Sequence, residues 1–207
     1  MVISHTQNLI FLRVPKNAST SIAHHFIKGS DPSEDRWTEL ADAGIRHNRI
    51  PKQLLHKYAY QYHHTHLTLQ EILDSELITE SQAREMRKIV VIRDPLHRQL
   101  SLYFFLCRNR SKSPEEFRAM FSQGKCKLDT NNGITQSTYA KLHGEIAPNV
   151  DFWKFDDVNK KLSNLQTFKS GYRPKALSSL VMEYYDEPTR RAVLDYYRED
   201  LDLYLTL

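Results

Sequence analysis

Cysteine is scarce in this chain of 207 residues: only Cys107 and Cys126 occur, and their spacing is not of a metal-binding type. That excludes a disulfide framework and a cysteine-rich zinc module. Free thiols in a reducing compartment are expected, with a single Cys107–Cys126 bridge as the alternative. Glycine and proline are sparse, at 6 and 8 residues, which excludes collagen-like, mucin-like and disordered chains. No apolar run approaches the ~20 residues needed to span a bilayer. The segment Met1–Gln7 lacks the basic start and apolar core of a signal peptide, so the expected location is cytoplasmic. Neither charge sign dominates: 29 Lys and Arg face 25 Asp and Glu, a net charge of +4. Such an excess suits an anionic ligand, but without a basic cluster it does not suit a nucleic-acid binder.

What is present fits one domain spanning residues 1–207, long enough to bury roughly 70% of its unfolded surface without staples. Leu9–Val14 (LIFLRV) and Ile89–Ile92 (IVVI) read as buried parallel strands. Val150–Phe155 and the aromatic, His-rich stretch Tyr58–His66 are further strand candidates. Ser30–Pro51 shows no sustained period and reads as a long loop or short helical insertion. Thr68–Glu71 and Thr79–Gln82 have the form of capping boxes, and Pro95, Ser113–Glu116 and Asp186–Thr189 open further helices. Leu96, Leu100, Tyr103, Phe104 and Cys107 share one helical face, and Val193, Tyr197, Leu201 and Tyr204 another. Strands alternating with helices predict an α/β sheet of mainly parallel strands.

Two strand-to-helix junctions carry chemistry. In the first, LIFLRV runs through Pro15-Lys16-Asn17-Ala18-Ser19-Thr20-Ser21 into a helix. The first N–H groups of a helix have no internal partner and its dipole favours an anion. The hydroxyls of Ser19, Thr20 and Ser21 add donors and Lys16 adds a cation. The segment lacks the glycines of an ATP-type loop, and its lysine precedes the turn. An ordinary capped helix would use the same residue types. In the second junction, IVVI ends in Arg93-Asp-Pro-Leu-His-Arg98, with Ser101 eight residues beyond Arg93. An arginine at the carboxyl end of a parallel strand points into the crevice where α/β folds bind ligands, and its planar fork suits phosphate. Arg98 either faces solvent, pairs with Asp94 or joins Arg93.

Taken together, RVPKNASTS and VIRDPLHRQLSLY resemble the two nucleotide-binding segments of the sulfotransferases that use 3′-phosphoadenosine 5′-phosphosulfate (PAPS). Their order and their separation of about eighty residues fit as well. The resemblance implies a P-loop-like three-layer α/β fold with a central, mainly parallel sheet flanked by helices. It implies that Lys16, with the backbone and hydroxyl groups of Asn17, Ala18, Ser19, Thr20 and Ser21, holds the 5′-phosphosulfate, and that Arg93 and Ser101 hold the 3′-phosphate. His63-His64-Thr65-His66 is similar to the His-x-His segment of the uronyl 2-O-sulfotransferases. By position, His66 is then the general base and His64 an orienting or substrate-contacting group. A His-x-His pair also occurs in metal sites, but no third and fourth ligand is evident, so no metal is expected. The stretch VDFWKFDDV and the preceding Gln136–Tyr139 look like the family's later strand and its approach. KSGYRPKALSSL resembles its late cofactor loop, where Tyr172, Arg173 and Lys175 would touch the nucleotide. The expected partner is a hydroxyl acceptor, most simply a carbohydrate, and the expected product is adenosine 3′,5′-bisphosphate. An ATP- or GTP-dependent kinase of the P-loop class and a non-catalytic binder of anionic polymers are the competing readings.

Overall fold

Leu9–Leu12 and Ile89–Ile92 are apolar on both faces, and they belong to parallel strands that lie side by side in the middle of a sheet. A computed structural model describes residues 1–41, 44–51, 65–107, 113–122, 134–162 and 177–207. These residues belong to two compact units, one of Met1–Ile92 with Gln136–Phe168, the other of Arg93–Thr135 with Lys169–Leu207.

The first unit is built on a six-stranded sheet of β1 (Val2–Ser4), β2 (Leu9–Leu12), β3 (Arg36–Ala41), β4 (Gly44–Asn48), β5 (Arg87–Ile92) and β8 (Val150–Lys154), in the order β4-β3-β1-β2-β5-β8. The intervening β6 (Lys141–Leu142) and β7 (Glu145–Ile146) form a separate small hairpin. β2 pairs with β5 and β5 with β8 in parallel, so Phe11 lies opposite Ile89 and Ile89 opposite Asp151. The remaining pairings, β1 with β2 and β3 and then β3 with β4, are antiparallel. The sheet is therefore mixed, with its parallel part confined to β2, β5 and β8. Helix α1 (Ser19–Lys28) lays Ile22, Ala23 and Phe26 on Phe11, Ile89, Val91 and Trp153. The opposite-facing residues Ile10, Leu12, Val90 and Ile92 are equally buried. Burial on both faces explains why these strands read as unbroken apolar runs.

The polar start and the region 30–51 depart from expectation. Val2–Ser4 is a fully buried strand that folds back on β2 through a turn at His5–Asn8, where Asn8 has φ 49°. Ser30–Pro51 contains the hairpin β3–β4 rather than a loop or helix. β4 lies at the sheet edge, where polar residues are tolerated and no clean alternation is required. Asp35 fixes this end of the sheet. Its buried carboxylate accepts from Ser4 Oγ (2.8 Å), the His5 N–H (2.7 Å), Thr6 Oγ1 (2.9 Å) and N–H (3.3 Å), and the Asp31 N–H (2.9 Å). Burial pulls this carboxyl upward, and the bonds from Ser4, Asp31 and Thr6 together outweigh it, leaving its pKa below the ordinary value. Because the folded pKa is depressed, the stabilisation is present above the carboxylate range and is lost as pH falls through it. Asp35→Ala is expected to lower stability by about 3 kcal/mol, since several buried donors lose their acceptor at once. Chemical denaturation at neutral pH measures this, and a loss near zero would show that the cage contributes nothing.

Helices α2 (Leu69–Asp74) and α3 (Glu80–Glu85) begin with the two foreseen capping boxes, at Thr68 and Thr79. Lys88 belongs to β5 and is buried there. Its Nζ donates to the Ala83 and Arg84 carbonyls at the end of α3, and burial lowers its pKa to about 8. Tyr58–His64 lies outside the described residues, and Thr65–His66 is not part of a strand. Ser137–Ala140 is a 3-10 turn that leads into β6. After β8 the unit closes with a 3-10 turn (Phe155–Asp157) and the one-turn helix α6 (Val158–Lys161), numbered after α4 and α5 of the second unit.

The described residues of the second unit are mainly helical. Its members are α4 (Pro95–Leu106), α5 (Pro114–Ser122), α7 (Leu177–Tyr184), α8 (Glu187–Tyr196) and α9 (Arg198–Thr206). Leu96, Leu100, Tyr103 and Phe104 of the foreseen stripe pack with Phe117, Phe121, Tyr184, Tyr185, Val193 and Tyr197, and Cys107 lies against the same cluster. Many rings meet edge-on, as Phe117 and Tyr185 do at 4.8 Å between centroids. The closing helix foreseen from Asp186 onward is two helices joined at Tyr197. Among the described residues no helix is long and apolar enough to cross a membrane.

Candidate active site

β2 stops at Leu12, where the Val14 N–H turns back to the Leu12 carbonyl (3.1 Å) and Pro15 withholds a ladder donor. The chain then turns through Pro15–Ala18 at the carboxyl end of the parallel strands. Two non-glycine residues there are left-handed, Lys16 at φ 68° and Ala18 at φ 55°. Each costs about 1–2 kcal/mol, so the surroundings must hold the loop in place. Asn17 does so. It is fully buried, and its Nδ2 donates to the Val91 carbonyl and to Gln136 Oε1, both at 2.6 Å. The Asn17 side-chain N–H groups thus tie the loop to β5 and to the segment before β6.

Helix α1 follows directly. Its N-cap is Ala18, which makes no side-chain cap bond, and the first helical bond runs from the Ile22 N–H to the Ala18 carbonyl (3.2 Å). In α2, α3, α4 and α8, by contrast, Thr68, Thr79, Asp94 and Asp186 accept from a first-turn N–H. The first turn of α1 thus lacks an N-cap side-chain acceptor, and its positive end favours an anion. Ser19 is buried, whereas Lys16, Thr20 and Ser21 are half-buried along the same loop and turn.

His66 meets this junction through Arg13. Its Nδ1 lies 2.7 Å from the Arg13 carbonyl oxygen. A carbonyl can only accept, so Nδ1 carries the proton and the basic lone pair of the neutral ring is on Nε2. Arg13 is buried just past β2; it donates from Nη1 to the Thr38 carbonyl (2.9 Å) and from Nη2 to Thr20 Oγ1 (3.2 Å). One residue therefore links the imidazole and the first turn of α1. Sequence reasoning passed over Arg13 and Gln136. The signal for Arg13 was a lone cation at the end of an otherwise apolar run.

Arg93 and Ser101 belong to the second unit. Arg93 immediately follows β5 and is buried, and Ser101 is half-buried on α4. Asp94 caps α4 by accepting from the His97 N–H (3.0 Å), which puts a carboxylate at that helix start. A phosphate here would rely on the Arg93 and Ser101 side chains and not on the α4 amides. Arg98 does not face solvent: it is buried, donates to the Ile134 carbonyl (3.3 Å) and lies 5.7 Å over the Tyr197 ring. His64, Tyr172, Arg173 and Lys175 lie outside the described residues, as does Cys126. Cys107 is a free thiol. Among the described residues no three His, Cys, Asp or Glu side chains are arranged to hold a metal.

The class defined so far is an α/β protein with a strand–loop–helix junction at the carboxyl end of its parallel strands. A family model described as the Sulfotransferase family matches residues 1–157. The chain belongs to that family, and its activity is accordingly that of a transferase. Such enzymes generally draw their sulfuryl group from PAPS and pass it to a small-molecule acceptor. Comparison with curated proteins and with solved structures found no match.

Proposed function

We propose that the chain transfers a sulfuryl group from PAPS to a hydroxyl acceptor of the carbohydrate class, with His66 as general base. The supporting observation is the Nδ1 bond of His66 to the Arg13 carbonyl, beside a loop whose helix lacks a side-chain cap. PAPS would supply an activated sulfuryl group whose departure leaves adenosine 3′,5′-bisphosphate. Lys16 and the first-turn donors of α1, with the hydroxyls of Ser19, Thr20 and Ser21, would neutralise the 5′-phosphosulfate. Arg93 and Ser101 would hold the 3′-phosphate. His66 Nε2 takes the proton of the acceptor hydroxyl as the new sulfur–oxygen bond forms. Lys16 and the helix donors act most strongly on charge that grows during transfer, being fixed before it starts. This scheme needs no metal, unlike phosphoryl transfer from ATP with its bridging magnesium.

A thermal shift separates this reading from a nucleotide kinase. Adenosine 3′,5′-bisphosphate at about 100 times its Kd is expected to stabilise the protein by about 2.7 kcal/mol. For a chain of this size that raises the Tm by roughly 5–10 °C, and ADP with magnesium should do less. A larger shift with ADP and magnesium would reverse the assignment. Incubation with radiolabelled PAPS and a panel of sugars, phenols, lipids and peptides then identifies the acceptor by label transfer, and label on sugars is expected.

A further inference from the structure

Arg13 is a buried cation that the transfer scheme does not use. Burying a charge is costly unless it is bonded, and an apolar side chain at a strand end would avoid that cost. The guanidinium is held on one side by the Thr38 carbonyl of β3 (2.9 Å) and reaches Thr20 Oγ1 on the other (3.2 Å). Arginine has donors and no acceptor, so the Thr20 oxygen must be the accepting atom. A hydroxyl that accepts from a cation becomes a stronger donor through its own hydrogen. Thr20 is the second residue of α1, within the turn that makes no side-chain cap bond.

Resting on the sulfuryl-transfer reading, we propose that Arg13 is a positioning residue that orients and polarises the Thr20 hydroxyl as a donor to the 5′-phosphosulfate. The Thr38 anchor keeps the guanidinium from swinging onto the ligand itself, so its influence passes through Thr20. The same residue's carbonyl holds His66, so the anion donor and the base are referenced to one point of the backbone.

The test is a double-mutant cycle on the full chain, read by isothermal titration with PAPS and with adenosine 3′,5′-bisphosphate. Thr20→Val and Arg13→Met are each expected to weaken PAPS binding by about tenfold or more, as for loss of a charge-assisted bond. Thr20→Ser, which keeps the hydroxyl, should bind within about threefold of wild type on the same footing. The double variant should bind no worse than the weaker single one, because both remove the same interaction. Additive losses would make Arg13 an independent contributor and overturn the proposal, as would wild-type affinity in Thr20→Val. If Arg13→Met does not fold, Arg13→Lys closes the same cycle, since its shorter single-point donor cannot serve Thr38 and Thr20 together. Wild-type protein that binds neither nucleotide would sink the donor assignment itself, a result distinct from binding with additive losses.

Discussion

Lys16→Ala is expected to lower turnover by about two orders of magnitude or more while leaving the fold intact. The reasoning starts from the loop. Lys16 is half-buried at φ 68°, inside a turn held by the Asn17 side chain. Truncating Lys16 removes a cation while the Asn17 bonds that hold the turn remain, so the loss expected is in turnover and not in folding. On the sulfuryl-transfer reading, what is lost is charge aimed at the 5′-phosphosulfate, which matters most as negative charge gathers on the departing nucleotide. Single-turnover rates with saturating PAPS measure this directly. A variant with wild-type turnover would remove Lys16 from the chemistry.

His66→Ala should lose a comparable factor, about a hundredfold or more, because a positioned base contributes at that level. The more informative variant is His66→Asn. Its side-chain amide can still donate to the Arg13 carbonyl, so the local contact survives, but it has no basic lone pair to replace Nε2. The asparagine variant should match wild type in stability and match the alanine variant in turnover. The pH profile supplies the sign. Protonating the imidazole removes the accepting lone pair, so wild-type activity falls on the acid side, and that limb should vanish from the residual activity of both variants. An asparagine variant that keeps wild-type rates would leave His66 with a structural role only.

The parts of this fold legible in the sequence are those whose information is local. Unbroken apolar runs marked β2 and β5 because both faces of these strands are covered. Thr68, Thr79, Asp94 and Asp186 announced helix starts because capping is a contact over three residues. The Pro15–Ser21 junction was legible for the same reason, being one contiguous strand–turn–helix. Strands β1, β3 and β4 were missed because their stability comes from partners distant in sequence. Asp35, for example, gathers donors from Ser4, His5 and Thr6, and Met1, Val2 and Ile3 are buried by the sheet and not by their own periodicity.

The sequence by itself determined the α/β class, the helix starts, and Lys16 through Ser21 and Arg93 as residues suited to an anion. Only the tertiary structure decided that the Asn17 amide ties the loop to β5 and Gln136, that His66 bears its proton on Nδ1, and that Arg13 joins Thr20 to that histidine. The physical reason is one of range. Propensity and capping act over a few residues, whereas a tautomer or a buried charge is set by whichever group the fold brings within about 3 Å, here from as far as 119 positions away in the Asn17–Gln136 bond.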